Sequence, residues 1–360
     1  MSKLVPIVDP EGLLEYSVVF NDRALNHMSA VFQQVMRDIS ATLQQVYNAS
    51  GAVVVPGGGS FGMEAVARQF ANEQRCLVIR NGWFSYRWSQ ILEMGRIAPD
   101  TTVLQATPDS DHAQAAYQPP ALEQVVETIL REKPSVVFAP HVETASGMIL
   151  PEDYLKAVGD AVAQTGGLFV LDCVASGALW VDMKACGVDG LISAPQKGWS
   201  ASPCAALIAL SDKALERMES TTSSSFAADL KKWYQIMQAY ENGGHAYHAT
   251  MPTDTLAILR DRMKETVETG LDSLKERQWQ LGQDVRALFS RYGFRSVAAE
   301  GFEAPCVVVM HTDNPDIHNT SLFRQQGLQT AAGVPLMCGE PDNFRTFRVG
   351  LFGLEKLNHV

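Results

Sequence analysis

The sequence predicts an α/β fold, in which a large domain with a mainly parallel sheet is followed by a smaller C-terminal α+β domain. Up to about residue 250, short apolar runs alternate with amphipathic helical stretches. Runs that are apolar on both faces indicate a parallel sheet covered by helices on its two sides. Beyond that point the alternation gives way to a long, charged helical stretch. We therefore predict a domain boundary between residues 251 and 252, which gives domains 1–251 and 252–360.

Residue spacing predicts the individual elements in chain order. Apolar residues recur every three or four positions from Met28 to Val46, which predicts a helix over residues 24–48. In the rest of the large domain, apolar runs predict strands at 52–55, 76–79, 135–139, 167–172, 189–193 and 205–210, and helical spacing predicts helices at 63–72, 121–131 and 152–164. In the small domain, the same criteria predict a helical stretch over 254–292, strands at 306–310 and 347–350, and a short helix near 319–327.

The composition excludes several classes of partner. The chain has 360 residues, is 46% hydrophobic and carries a formal net charge of -11 without a basic cluster. This charge argues against binding to nucleic acid or to anionic membranes. The sequence shows no targeting segment and no apolar run long enough to span a bilayer, so we expect a cytoplasmic protein. The six cysteines lack the spacing of a metal site, which predicts reduced thiols and no metal.

A glycine-rich turn is the first candidate binding site. Residues 57–60 read Gly-Gly-Gly-Ser and stand between a predicted strand and a predicted helix. Backbone N–H groups and the helix dipole favour a phosphate at such a turn. Together with Gly62, the turn also matches the G-x-G-x-x-G motif of dinucleotide-binding enzymes. The next strand ends in Arg80, where NAD enzymes place an acid, so an NADP-dependent oxidoreductase stays open as an alternative.

Two further candidates stand at predicted strand ends. Asp172 closes the apolar strand 167–172, where an acid can pair with a protonated ring nitrogen. Lys197 follows the strand 189–193 among small, apolar and aromatic residues, which lower the pKa of an amine and allow it to react with an aldehyde. Taken singly, Asp172 serves equally well as a helix cap, whereas the uncharged neighbours of Lys197 argue against a merely solvated surface lysine. Together with the glycine-rich turn they supply the three contacts that pyridoxal 5'-phosphate (PLP) requires: phosphate, ring nitrogen and aldehyde.

Several motifs in a fixed order resemble those of one enzyme family. Residues 169–177 read FVLDCVASG, and residues 193–197 read SAPQK. Further matching segments are GGS with Glu64, NGWFSYR at 81–87, HVETASG at 141–147, YHATMP at 247–252 and FRVG at 347–350. The set is similar to the class V PLP-dependent aminotransferases, and most similar to their alanine–glyoxylate and serine–glyoxylate group.

The resemblance implies a type I PLP-dependent transferase fold and a homodimer with a shared active site. Lys197 would hold the cofactor covalently and move the substrate proton, Asp172 would bind the ring nitrogen, and Arg348 would bind the substrate carboxylate. The other cofactor-binding residues that it implies are Gly58, Gly59, Ser60, Phe84, Thr144, Val174 and Gln196, with Tyr247 and Thr250 supplied by the neighbouring subunit. The implied reaction moves an amino group from an alanine- or serine-type donor to glyoxylate or pyruvate.

Some features depart from the family's pattern. The family opens with a Pro-Gly-Pro segment that helps to line the substrate pocket, whereas residues 9–16 read DPEGLLEY. The family also continues into a C-terminal helix, so we expect a short small domain. Other class V reactions (desulfurase, lyase or epimerase) share the same cofactor contacts, with Cys338 as the candidate desulfurase nucleophile. A non-catalytic PLP-binding protein is a further alternative.

Overall fold

The computed structural model describes residue 9 and residues 12–359, so Pro10 and Glu11 of the atypical N-terminal segment lie outside the described residues. The strands are β1 (Gly51–Pro56), β2 (Arg75–Arg80), β3 (Asp100–Gln105), β4 (Thr107–Pro108), β5 (Tyr117–Gln118), β6 (Val136–Pro140), β7 (Val142–Glu143), β8 (Met148–Ile149), β9 (Leu168–Asp172), β10 (Gly190–Ser193), β11 (Ala205–Leu210), β12 (Val307–His311), β13 (Ala331–Ala332) and β14 (Thr346–Gly350). The helices are α1 (Ala30–Tyr47), α2 (Gly59–Phe70), α3 (Trp83–Met94), α4 (Leu122–Glu132), α5 (Glu152–Thr165), α6 (Met183–Cys186), α7 (Asp212–Glu219), α8 (Leu230–Glu241), α9 (Thr253–Thr269), α10 (Leu271–Arg291), α11 (Pro315–His318), α12 (Ser321–Gln325) and α13 (Leu354–Leu357). Within the described residues, no helix combines the length and apolar composition needed to cross a membrane, and no cluster of three or more His, Cys, Asp or Glu is placed to hold a metal ion.

Seven strands form the central sheet, in the order β1-β11-β10-β9-β6-β2-β3. The neighbours from β10 to β3 all run parallel. Strand β11 runs antiparallel to both β10 and β1, and this double reversal leaves β1 pointing in the same direction as the parallel strands. The carboxyl ends of β1, β9 and β10 therefore lie at one edge of the sheet. The prediction of a mainly parallel sheet is confirmed.

The central sheet is buried on both faces. Every residue of β6, β9, β10 and β11 is buried, as expected for strands covered by helices on both sides. Helices α1, α2, α3, α5 and α8 pack directly on the sheet. A Cβ at Gly62 would lie 2.5 Å from the Cβ of Ala206, so glycine at this position allows α2 to pack closely on β11.

A second, smaller sheet is antiparallel and has the order β12-β14-β13. It packs against α10, and Val308, Met310 and Phe347 belong to its buried cluster. Helix α9, the first helix after the predicted domain boundary, places Leu256 and Leu259 in the large core that also contains α1. The boundary between residues 251 and 252 stays a prediction.

Several element bounds differ from the prediction for local reasons. Helix α1 begins at Ala30, later than predicted, because Ser29 Oγ accepts a backbone N–H as its N-cap. Helix α2 begins at Gly59, earlier than predicted, so the glycine-rich turn itself forms the helix N-terminus. The long helical stretch predicted after the domain boundary is two helices, because Gly270 with a φ of 97° separates α9 from α10. Strand β3, helices α3, α7 and α8, and several shorter elements are absent from the prediction.

Candidate active site

The glycine-rich turn lies against the loop that follows Asp172. Gly57 has a φ of 123°, a conformation that favours glycine. A Cβ at Gly59 would lie 2.6 Å from Val174 Cγ2, so glycine is required for this approach. The backbone N–H groups of Gly59 and Ser60, the first two of α2, have no acceptor within the described residues, whereas Phe61 donates to the carbonyl of Gly58 at 2.9 Å. These amides and the hydroxyl of Ser60 therefore form a group of donors beside Val174.

Asp172 is a buried acid with one unused oxygen. It ends β9 and is 8% exposed. Its Oδ1 accepts the N–H of Val174 at 2.9 Å, and its other carboxylate oxygen has no hydrogen-bond partner in the part of the chain that the structure describes. Burial raises the pKa of Asp172 to about 6, so a positive charge beside it would be stabilising.

Hydrogen bonds from His141 hold the chain around Asp172. The backbone N–H of His141 donates to the carbonyl of Asp172 at 2.9 Å, and its ring Nδ1 lies 2.8 Å from the hydroxyl oxygen of Ser176. Burial lowers the pKa of His141 to about 4. The imidazole is therefore neutral at physiological pH and acts here as a hydrogen-bonding support rather than as a charge.

Lys197 follows β10 in a turn that is packed against the loop after β9. A Cβ at Gly198 would lie 2.1 Å from the carbonyl oxygen of Gly177, so the two segments touch through their backbones. The Lys197 side chain is half-buried, and its Nζ lies 4.6 Å from the centroid of the Phe352 ring. Burial lowers the pKa of Lys197, and the positive charge of Arg348 lowers it further. A larger share of this amine is therefore neutral and able to act as a nucleophile or a base.

Two guanidinium groups lie near the ring of Phe84, in the first turn of α3. The Cζ atoms of Arg87 and Arg348 lie 5.2 Å and 5.6 Å from its centroid. Arg87 Nη1 donates to Ser60 Oγ at 2.7 Å, and Arg348 Nε donates to the carbonyl of Ala332 at 2.9 Å. Phe84 therefore lies between an arginine tied to the glycine-rich turn and an arginine tied to the small sheet.

A buried carboxylate for which the sequence predicts no role fixes the start of α3. Glu143 is fully buried and accepts the backbone N–H groups of Phe84 at 3.2 Å, Ser85 at 2.8 Å and Ala145 at 2.9 Å. The Ser85 hydroxyl also donates to it, at 2.7 Å. A carboxylate at a helix N-terminus satisfies free amides and complements the dipole. The sequence offers only one signal for this contact, an acid within the segment 141–147.

The remaining predicted site residues are Thr144, Gln196, Tyr247 and Thr250. Thr144 is half-buried in the turn between β7 and β8, and Gln196 is exposed directly before Lys197. Tyr247 and Thr250 are exposed, and their hydroxyl oxygens lie 3.1 Å apart. Within the described chain, neither of these two residues forms a hydrogen bond with the other predicted site residues.

The structure argues against two residues that the alternative functions require, which are Cys338 for a desulfurase and Arg80 for an NADP-dependent oxidoreductase. Cys338 is buried, and burial raises the pKa of its thiol to about 12, so it lacks the thiolate that a desulfurase nucleophile needs. Arg80 donates to the carbonyl of Met337 at 3.1 Å and to the hydroxyl of Ser89 at 2.9 Å. Its guanidinium thus binds the chain itself, which weakens the interpretation of Arg80 as a ligand for a 2′-phosphate.

A solved structure identifies the fold. The alanine–glyoxylate aminotransferase from Nostoc sp. matches this fold with a TM-score of 0.78 at 21% sequence identity, over 93% of this chain and 87% of that chain. The central sheet with its helices is that of the type I fold of PLP-dependent transferases. The predicted fold class is confirmed.

Sequence comparison identifies the family. The profile described as "Aminotransferase class-V" matches residues 13–341, and the chain belongs to the class-V aminotransferases. Alanine–glyoxylate aminotransferase 1 of Saccharomyces cerevisiae is 26% identical over 366 residues, covering 93% of this chain and 88% of that protein. The 2-aminoethylphosphonate–pyruvate transaminase 2 of Paraburkholderia xenovorans is 27% identical over 338 residues, covering 92% of this chain and 86% of that protein. The predicted family, the transaminase class and PLP as the cofactor are confirmed.

Three features of the sheet edge fit this cofactor. The first turn of α2 offers free amides and a hydroxyl, which suit a phosphate. Asp172 is a buried residue with one unused carboxylate oxygen, which suits a protonated ring nitrogen. The half-buried amine of Lys197, with its lowered pKa, suits an aldehyde.

Proposed function

We propose that the protein moves an amino group from a small amino acid, of the alanine or serine type, to a small 2-oxo acid such as glyoxylate or pyruvate. The observation that carries this proposal is the common sheet edge at which Lys197, Asp172 and the first turn of α2 meet. Arg348 adds a guanidinium for a substrate carboxylate beside Phe84. The names of two relatives, alanine–glyoxylate aminotransferase and 2-aminoethylphosphonate–pyruvate transaminase, support a small 2-oxo acid as the acceptor.

We propose that the cofactor is bound through its phosphate, its ring and its aldehyde by separate groups of residues. The phosphate is assigned to Gly58, Gly59, Ser60 and Gln196, the ring to Phe84, Thr144, Asp172 and Val174, and the aldehyde to Lys197. The close approach of Gly59 to Val174 supports this division, because it places a residue assigned to the phosphate next to a residue assigned to the ring.

The chain's own residues suggest how protons are handled. When bound, PLP draws electrons from the substrate α-carbon and makes its C–H bond acidic. Asp172, with a pKa of about 6, is ionised at neutral pH and keeps a proton on the ring nitrogen. Lys197 Nζ removes the proton from the substrate Cα, since burial leaves part of the amine neutral. Phe352, whose ring centroid is 4.6 Å from Nζ, borders the space in which this amine moves.

We propose that the working form is a homodimer in which each protomer completes the phosphate site of the other. Tyr247 and Thr250 support this arrangement, because they are exposed and hydrogen-bonded only to each other within the described chain. Two adjacent surface hydroxyls suit the oxygens of a phosphate on a neighbouring molecule. The site within one chain would then lack part of its phosphate contacts.

The proposed reaction is tested with purified holoenzyme, single amino acids and no acceptor, by following the absorbance of the cofactor. L-Alanine or L-serine should change the spectrum, and glyoxylate or pyruvate should restore it. D-Alanine is the matched control, because it has the same groups with the opposite handedness. A spectrum that no amino acid changes would favour a non-catalytic binding protein and contradict the proposal. Formation of alanine from cysteine, with sulfide released when a thiol reductant is added, would favour a desulfurase.

Arg348→Ala is expected to raise KM for carboxylate substrates by roughly 10- to 150-fold, the loss typical of one charge-assisted hydrogen bond. PLP binding should change little, because Arg348 lies on the side of the small sheet. The measurements are KM for the amino donor and the dissociation constant of PLP. Arg345→Ala is the matched control, since Arg345 is an exposed arginine on the approach to β14. An unchanged KM would remove Arg348 from the substrate site.

A further inference from the structure

An arginine without a carboxylate partner lies at the phosphate end of the site. Arg87 Nη1 donates to Ser60 Oγ at 2.7 Å, and its Cζ lies 5.2 Å from the centroid of the Phe84 ring. Among the ion pairs of residues 12–359, none involves Arg87. Its remaining N–H groups have no acceptor in the same described residues. Because guanidinium groups bind carboxylates and phosphates through several N–H groups at once, Arg87 retains unused binding capacity.

The phosphate of the cofactor needs a cation that the glycine-rich turn does not supply. A phosphate monoester carries a charge of about -1.5 to -2 at pH 7. The groups offered by the first turn of α2 are neutral amides and the hydroxyl of Ser60, and the helix dipole adds only about half a positive charge. In the part of the chain that the structure describes, Arg87 is the one charged side chain hydrogen-bonded to this turn. Without it the dianion would be poorly compensated.

Arg87 lies on the same face of α3 as Phe84, the residue predicted to contact the cofactor ring. Arg87 follows Phe84 by three positions in α3, so the two side chains project on one side of the helix. The buried carboxylate of Glu143 fixes the first turn of α3. A single anchored helix turn therefore presents an aromatic ring and a guanidinium together.

We propose that Arg87 binds the phosphate of PLP, so that α3 supplies both an ionic contact and an aromatic contact to the cofactor. The free N–H groups of Arg87 meet phosphate oxygens while Nη1 orients the hydroxyl of Ser60. A role in binding a second acidic group of the substrate fits less well, because Arg87 is tied to α2 whereas Arg348 is tied to the small sheet. The inference rests on PLP as the cofactor and not on the proposed substrates.

The test compares PLP with pyridoxal, which has the same ring and aldehyde but no phosphate. Apoprotein carrying Arg87→Gln is titrated with each compound, and the absorbance of the bound aldehyde is followed. The dissociation constant for PLP should rise by roughly 10- to 150-fold, as for the loss of one charge-assisted hydrogen bond. The constant for pyridoxal should stay unchanged. Neither titration contains an amino acid, so the result is independent of the reaction proposed above.

Matched variants keep the test decisive. Arg68→Gln removes a neighbouring arginine that is paired with Glu64 at 2.7 Å, and it should leave both constants unchanged. Arg87→Lys keeps the charge, so its dissociation constant for PLP should rise less than that of Arg87→Gln, while its constant for pyridoxal should again stay unchanged. This variant replaces Arg87→Gln if the latter fails to fold. Equal losses for PLP and pyridoxal would mean that Arg87 only supports α3, and would overturn the proposal. An unchanged PLP constant with a raised KM for acidic donors such as aspartate would also overturn it.

Discussion

The Lys197→Ala variant is expected to lose the absorbance band of covalently bound PLP and to lose transamination by at least about 10⁴-fold, the upper end of what a positioned general base contributes. The variant also loses the amine that reacts with the cofactor aldehyde. Lys197 is suited to both tasks because its amine is half-buried and its pKa is lowered. The measurements are the absorption spectrum after addition of PLP and the rate of the half-reaction with alanine.

Two controls separate the amine of Lys197 from general effects of losing a lysine. Lys156→Ala removes a lysine from an exposed ion pair with Asp160, and it should retain both the absorbance band and the rate. Methylamine added to Lys197→Ala should restore part of the rate, since a free amine can take the proton from the substrate Cα. Transamination above about 1% of the original rate without added amine would contradict the assignment.

Glu143→Ala is expected to lower the free energy of unfolding of the apoprotein by about 3 kcal/mol, because buried donors that lose an acceptor cost about 1–3 kcal/mol each. The donors concerned are backbone N–H groups at the start of α3 and the hydroxyl of Ser85. Water entering the space left by the side chain would replace some of these bonds, which limits the total. PLP binding should also weaken, since Phe84 and Arg87 are carried by α3. Urea unfolding and PLP titration measure the two effects.

The size of the effect at Glu143 can be judged against two other variants. Glu143→Gln retains one oxygen acceptor of similar shape and should be less destabilised than Glu143→Ala. Glu93→Ala removes an exposed acid near the other end of α3, and it should change the free energy of unfolding by no more than about 0.5 kcal/mol. If Glu143→Ala changed the free energy of unfolding as little as Glu93→Ala, the hydrogen bonds from the start of α3 to Glu143 would make no contribution to stability.

Strands that are apolar on both faces could be predicted from the sequence, because burial by helices on both sides admits little else. β9 and β11 are fully buried strands of this kind, and their bounds agree closely with the prediction. β3 is different, since it forms the edge of the sheet and none of its residues is buried. Its sequence is largely polar, so it contains no apolar run from which a strand could be predicted. Helix α8 has buried apolar residues at helical spacing, so its absence from the prediction has no such physical cause.

The candidate site could be predicted only where it follows from the ends of strands. Asp172 ends β9 and Lys197 follows the neighbouring parallel strand β10, and a general rule of such sheets brings these positions to one edge. The contact of Glu143 with the start of α3 joins segments far apart in the chain, and no local spacing reveals it. Arg80 is the opposite case. Its position at the end of β2 left a nucleotide ligand open as an alternative, but tertiary packing uses its guanidinium to bind Met337 and Ser89.

The glycine-rich turn and the loop after β9 are mechanically coupled through Val174. Any side chain at position 59 would collide with Val174, 2.6 Å from the new Cβ, and the amide of Val174 is the group that orients Asp172. A mutation at position 59 would thus be transmitted to the acid unless a compensating change occurred at position 174. Arg348, in β14, and Phe352, after it, take no part in this contact between Gly59 and Val174. Substitutions on that side therefore do not disturb the contact that orients Asp172.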